Sequence, residues 1–303
     1  MAAPLHLEII DRPDDPRLPE FHAAYEAAFV LPDETEDLAG FKACLALNSG
    51  AEHARLAARY GDFREVCLLA RDRHGGPLAG AANLLALRHA LPAGTMYSAN
   101  LNYIFVPAAQ RGRGLFSRLA AAIPSQVPAL FGDAAGDAPV LVFIELNDPL
   151  RMDAATYQRD STHSGLDQFD RLRIWAGRGA QVVDLAYVQP PLSTAQRADD
   201  GLAYAVLGTG DAALDACFLI RHLRAFFGIS VLKGAPPEAE PAAAAQLAVL
   251  DALCAQGGSV DLLDPRPMLA TLGPSGSAAL VADPQRPRTL RDWLRAAQAS
   301  NEA

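Results

Sequence analysis

Hydrophobic and polar residues alternate along this chain at two periods, and the pattern predicts a mixed sheet with helices. HLEIID, from His6 to Asp11, reads as a short first strand. Leu18 to Phe29 carries Phe21, Tyr25 and Ala28 at helical spacing. LPDETED follows, and its acidic residues with Thr35 suit the start of a second helix running to about Tyr60. EVCLLARD and PLAGAANLLAL flank a glycine turn and read as a hairpin. SANLNYIFV is a further strand. Leu115 to about Leu130 is helical, with Pro124 as an irregularity. PVLVFIELND is the apolar run of a strand buried on both faces. The insert DPLRMDAATYQRDSTHSG reads as a polar loop, and Leu166 to Gly177 as a helix closed by glycines. QVVDLAYVQPPL and GLAYAVLG are strand candidates, Leu214 to Phe227 a helix, and GISVL a short strand.

The composition changes at GAPPEAEPAAAAQ, Gly234 to Gln246. A Pro/Ala/Glu linker there divides the chain into residues 1–234, a catalytic domain, and 235–303, an appended helical and irregular segment. That segment either covers a sheet edge or mediates a homodimer. No internal repeat is evident.

Bulk numbers narrow the function classes. The 303 residues are 50% hydrophobic and 20% charged, with a formal net charge of −9. The basic stripe of a nucleic-acid binder is missing, and an acidic chain does not suit an anionic membrane surface. Neither a secretory leader nor a long apolar span is evident, so a cytoplasmic protein is expected. Cys44, Cys67, Cys217 and Cys254 are far apart and read as buried thiols in a reducing compartment. No metal-ligand spacing is present.

The stretch VPAAQRGRGLFSRL, Val106 to Leu119, carries the chemistry. A strand ends, two glycines and two arginines follow, and an amphipathic helix begins. Such a turn gathers helix-start N–H groups in one concavity, with the helix dipole favouring negative charge. Arg111 and Arg113 add positive charge, and Gly112 and Gly114 let backbone approach an anion. Charged hydrogen bonds contribute roughly 1.5–3 kcal/mol each, whereas a micromolar ligand needs about 8 kcal/mol net. A phosphate or pyrophosphate here is therefore the handle of a longer ligand. The spacing is neither a nucleotide P-loop nor a dinucleotide fingerprint.

Here the sequence resembles the GNAT acyl-CoA-dependent N-acetyltransferases, whose pyrophosphate loop reads [QR]-x-x-G-x-[GA]. Arg111 takes the first position, Gly114 the central one, and Phe116 the last, where the family has a small residue. Tyr103 to Pro107 is similar to the family's fourth strand, Val140 to Leu146 to its fifth, and RIWAGRGAQVV to its last helix and sixth strand. The resemblance spans roughly residues 6 to 232. It implies the GNAT fold, an α/β (α+β) sheet that is mixed but mostly antiparallel and flanked by helices, with a C-terminal extension. It implies acetyl-CoA as cosubstrate and a small-molecule or peptide amine as acceptor. Ile104, Phe105 and Val106 would lie along the pantetheine arm. Arg111, Gly112, Arg113, Gly114, Leu115 and Phe116 would hold the pyrophosphate. Asn147 either matches a family asparagine or makes a turn before Asp148-Pro149.

An attacking amine must lose a proton. Glu145, near the end of an apolar strand, is the candidate base, or else an ion-pair partner of Arg151 or Arg171. Trp175 stands where the family has its acidic tyrosine. Tyr157, in the polar insert, is the candidate replacement, or else an ordinary loop residue. His163 reads as a surface histidine. The reaction class so implied is direct N-acetylation. Its rivals are an acyl-CoA- or protein-binding module without turnover, and an acyltransferase using a longer acyl-CoA or an acyl-carrier protein.

Overall fold

The computed structural model describes residues 4–29, 35–91, 94–134, 136, 138–273 and 276–301. By its contacts the chain divides into two units. One comprises Met1–Val142, Pro190–Arg197 and Arg221–Pro241; the other comprises Phe143–Gln189, Ala198–Ile220 and Ala242–Ala303.

The first unit is built on β1 (His6–Ile10), β2 (Asp62–Arg71), β3 (Leu78–Leu91) and β4 (Gly94–Phe105), each antiparallel to the next. It also holds α1 (Leu18–Ala28), α2 (Leu38–Ala46), α3 (Gly50–Tyr60) and α4 (Leu115–Ala129). The single helix expected from Thr35 to Tyr60 is two. Asp37 caps α2 through a side-chain bond to the Gly40 N–H at 2.7 Å, and the chain restarts at Ser49-Gly50, with Gly50 at φ 74°. The residue between them, Asn48, bonds the backbone of Glu65 in both directions, so the break is tied to β2.

Phe21, Tyr25, Phe41, Cys67, Leu69, Ala81 and Phe105 form a buried cluster under α1 and α2, with Tyr103 packed against it. α4 packs on β3 and β4. Gly80 permits this, because a Cβ there would lie 3.0 Å from both the Phe105 carbonyl and a Leu119 methyl.

The second unit contains β5 (Val140–Asn147, its first three residues counted with the first unit), α5 (Ala154–Ser164), α6 (Gln168–Ala176), β6 (Gln181–Val183), β7 (Leu202–Leu207), β8 (Ala213–Asp215), α7 (Ala216–Phe226, crossing into the first unit at Arg221), α8 (Pro241–Ala255), β9 (Ser259–Leu263), α9 (Arg266–Thr271), α10 (Gly276–Ala282) and α11 (Leu290–Asn301). Its strands lie in the order β5-β7-β6-β9-β8, with β6, β7, β8 and β9 paired antiparallel. The architecture is a mixed α/β chain with mostly antiparallel sheet flanked by helices.

Residues after 234 do not stand apart as an appendage. β9 pairs Val182 with Leu263 on β6 and Leu214 with Val260 on β8. Leu290, Trp293 and Leu294 of α11 are buried, Trp293 edge-on to Phe169 of α6 at 6.0 Å. The contact boundaries therefore do not follow the Pro/Ala linker.

Three further expectations are corrected. The polar insert is largely helix α5, because Asp153 accepts a bond from the Thr156 N–H at 2.8 Å and Gly165 closes the end at φ 65°. GISVL is a π-helical turn over Phe227–Val231 that continues α7. Cys217 and Cys254 are joined as a disulfide, whereas Cys44 and Cys67 are free and buried. Neighbours 37 residues apart in sequence cannot be recognised from spacing alone.

Candidate functional site

The anion turn lies between β4 and α4. A 3-10 turn over Ala108–Gln110 follows Pro107, and Gly114 is the N-cap residue of α4. Gly112 and Gly114 stand at φ 78° and 69°, left-handed conformations that favour glycine. A Cβ at either would meet no atom within 4 Å, so the glycines are there for backbone shape, not packing. Arg111, Gly112, Arg113 and Gly114 are all exposed, and Leu115 is buried. First-turn N–H groups have no acceptor inside a helix and are directed at whatever lies over this turn.

The two arginines differ. Arg113 donates to Asp72 at 2.6 Å and also to Gln110. Arg118 of α4 donates to the other oxygen of Asp72 at 2.7 Å, and the pair holds that carboxyl below its ordinary range. Asp72 thus braces the turn and offsets part of its charge. Arg111 reaches back to the Val106 carbonyl at 3.4 Å.

Phe116, the residue that departs from the family motif, packs with the cluster of Ala79, Val106 and Leu115. Its bulk goes to the α4–sheet seam. Phe105 is buried among the rings of Phe21 and Tyr25. Val106 is buried as well, whereas Ile104 is half-buried.

β4 carries an irregularity just before this turn. Tyr103 pairs with Asn83 but Leu101 pairs with Leu84, leaving Asn102 as an extra residue. Such a bulge bends a strand and re-aims its end. A buried polar network surrounds it. Asn83 Nδ2 donates to Glu65 Oε1 at 2.7 Å, Asn102 Nδ2 donates to Asn83 Oδ1 at 2.8 Å, and Asn100 Nδ2 donates to Asn102 Oδ1 at 2.9 Å. The Ser230 hydroxyl, delivered by the π-helical turn, donates to Glu65 Oε2 at 2.6 Å. Burial pushes Glu65 up to about 7, against the lowering effect of these bonds. None of these polar residues was singled out from sequence. The alternation ANLNYIF puts Asn100 and Asn102 two apart, but which face they share depends on a bulge that no local pattern announces.

Glu145, Asn147 and Tyr157 belong to the second unit. Among the described residues Glu145 makes no ion pair. The Tyr187 hydroxyl donates to it, while Arg151 pairs with Asp200 and Arg171 with Asp160 at 2.7 Å. Desolvation raises Glu145 to about 7, offset in part by the Tyr187 bond. Tyr187 stacks on Tyr204 at 4.7 Å, and both line a cavity of about 230 Å³ with Arg151, Thr289 and Arg291. Tyr187 lies in a segment expected to be a strand, and sequence reading did not select it.

Tyr157 is buried in α5 and donates to Asp167 at 2.6 Å; desolvation and that carboxylate raise its pKa. Asp167 itself caps α6. The arrangement fastens two helix ends and does not involve Glu145. Asn147 is the last residue of β5, and Asp148 makes the turn, accepting from the Leu150 N–H at 2.9 Å. His163 is exposed in the last turn of α5. Trp175 is a buried residue of α6.

Among the described residues no three or more His, Cys, Asp or Glu side chains are placed to hold a metal ion, and no helix is long and apolar enough to cross a membrane.

No family model matches the chain, and no curated protein matches it in sequence. Solved structures similar to it include acetyltransferases. One is the ribosomal-protein-S18-alanine N-acetyltransferase of Escherichia coli, 14% identical, covering 67% of this chain and 93% of that one at a TM-score of 0.34. A second is the IAA acetyltransferase of Bacillus cereus, 13% identical, covering 68% and 99% at 0.32. A third is a tandem GNAT protein from the clavulanic acid biosynthesis pathway, 14% identical, covering 61% and 46% at 0.38.

Proposed function

We propose that the protein is an acyltransferase that takes acetyl from acetyl-CoA and delivers it to an amine by direct attack. The observation that supports this reading most is the β4–turn–α4 junction. An exposed turn with two left-handed glycines caps an amphipathic helix directly after a bulged strand. That junction offers helix-start N–H groups to a diphosphate and a bent strand end to an extended arm. In this reading Ile104, Phe105 and Val106 lie along that arm. Arg111, Gly112, Arg113, Gly114, Leu115 and Phe116 surround the diphosphate position, with Arg111 and Arg113 as its positive charges, the latter offset in part by Asp72. Asn147 is assigned to the cofactor site on the resemblance alone.

In this reading Glu145 receives the amine proton, since a carboxyl raised to about 7 is matched to accepting a proton near neutrality. The nucleophilic nitrogen bonds the acetyl carbonyl carbon, the thioester C–S bond breaks, and the thiolate leaves to be protonated. Tyr157 was the sequence candidate for that last proton, and its bond to Asp167 makes it a poor donor.

That same bond favours a second reading, an acyl-CoA-binding module without turnover. Thiol release from acetyl-CoA, followed with and without a panel of primary amines, separates the two. Amine-dependent release supports transfer. Binding without release on any amine supports the module.

A further inference from the structure

The buried network behind the β4 bulge has features that a plain core does not need. Glu65 is 1% exposed, and the charged groups that act on it are Lys233, which lowers its pKa, and Glu36, which raises it. Lys233 is turned to Glu36 at 2.7 Å and to the Leu192 carbonyl at 2.7 Å, so the two largely cancel and Glu65 has no cation of its own. The remaining titratable neighbours are the buried thiols of Cys44 and Cys67, both pushed up by burial. Cys44 donates to the Ser230 carbonyl at 3.3 Å.

A buried carboxylate held by neutral donors alone is costly. Two backbone irregularities serve it. A π-helical turn places Ser230, and Lys233 just beyond it stands at φ 50°. Both devices cost stability and recur at functional sites. On the other side the network comes nearest to solvent at Asn102, which is half-buried, as are Tyr103 and Ile104 after it.

We propose that Glu65 is a positioning residue of the β4 bulge. Through Asn83 and Asn102 it fixes the turn of the backbone from which Tyr103 to Phe105 presents its edge to the acyl carrier. This rests on the acyl-CoA reading. The geometry also couples the carboxyl to occupancy. An arm laid along residues 102–104 removes water from the one open side of the network, and further desolvation favours the protonated acid. Protonation is accommodated locally, because the Ser230 hydroxyl can rotate from donor to acceptor while Oε1 keeps its bond from Asn83.

The test is calorimetric titration of the whole protein with acetyl-CoA between about pH 6 and 8, in buffers of different ionisation enthalpy, which counts protons taken up on binding. Wild type is expected to take up protons across this range. Glu65→Gln keeps the Oε1 acceptor and gives Ser230 a donor, so it is expected to bind with clearly less uptake, the remainder belonging to Glu145 and to the ligand's phosphate. Ser230→Ala removes a bond that lowers Glu65, so the uptake window is expected to move to higher pH. Asn102→Ala, which removes the bonds to Asn83 and from Asn100, is expected to weaken binding at least about fivefold. Binding by wild type without proton uptake, or an uptake curve that is the same in Glu65→Gln as in wild type, overturns the positioning role and leaves the acyl-CoA reading standing. If Glu65→Gln fails to fold, an unmoved window in Ser230→Ala overturns it equally. Wild type that does not bind acetyl-CoA overturns both.

Discussion

His89, Ser98 and His222 form a buried chain, with the Ser98 hydroxyl 2.7 Å from His89 Nε2 and 2.8 Å from His222 Nδ1. Desolvation holds His89 down to about 4, with Arg221 adding to it, and His222 well below its ordinary value. A base depressed in the fold stabilises above its unfolded pKa, about 6.5, and loses that stability as pH falls toward the folded value. His89→Gln keeps a partner for Ser98 but cannot be protonated. The difference in unfolding free energy between wild type and variant is therefore expected to fall by about 1.4 kcal/mol per unit between pH 6.5 and 4. The carboxyls of Glu65 and Glu145, raised in the fold, slope the other way, which is why the difference must be measured and not wild type alone. A difference that is flat with pH would mean that His89 is not held neutral. Glu145→Gln is expected to lower turnover at least about tenfold, since acid–base assistance typically contributes about 10²–10⁴-fold, and to remove the limb near pH 7. Tyr157→Phe is expected to leave that limb in place and instead cost about 1 kcal/mol of stability, the loss of one hydrogen bond to a half-buried carboxylate that keeps its bond from the Phe169 N–H. Titration and pH–rate profiles of the variants check both.

At the level of elements, the anion turn was legible because its signals are local. Two glycines before an amphipathic helix specify left-handed backbone and a helix start in a few consecutive residues. β1, α1, β5 and β7 were legible for the same reason: each carries its own period. The polar insert was misread because Asp153 and Gly165, the cap and stop of α5, stand far apart around a helix with little apolar stripe. GISVL was misread because its β-branched residues suit a strand in isolation, whereas the neighbouring α7 carries the chain on as a π-helical turn. Network residues such as Glu65 and Asn83 come from different strands and meet only through register, and periodicity alone does not encode register. Gly114→Ala would test the turn itself. Placing a Cβ at φ 69° costs about 1–2 kcal/mol. Thermal unfolding is expected to register this as a small loss of stability, with no new clash because the surrounding space is open.

At the level of the whole molecule, the C-terminal residues are structural. Val260, Leu262, Leu263, Leu290, Trp293 and Leu294 are buried, and each such side chain is worth about 1.5–3 kcal/mol on leaving water. Together they match a typical net stability of about 5–15 kcal/mol. Truncation after Gly234 is therefore expected to yield an unfolded or aggregated chain, checked by circular dichroism and size-exclusion chromatography. A folded truncated protein would restore the 234/235 boundary. The Cys217–Cys254 link belongs to the same region and is expected as a disulfide-joined peptide pair in a non-reduced digest. It was illegible in sequence because the pairing depends on where α7 and α8 start and end.

The central claim is that the β4–α4 turn holds the diphosphate of acetyl-CoA. Calorimetric titration of wild type and Gly114→Glu at one pH tests it most directly, with circular dichroism confirming that the variant is folded. Saturable binding in wild type that is lost in a folded Gly114→Glu is the predicted result, since the new carboxylate would stand at the helix start in place of the anion. Equal affinity in the two proteins, or no binding in wild type, would contradict it.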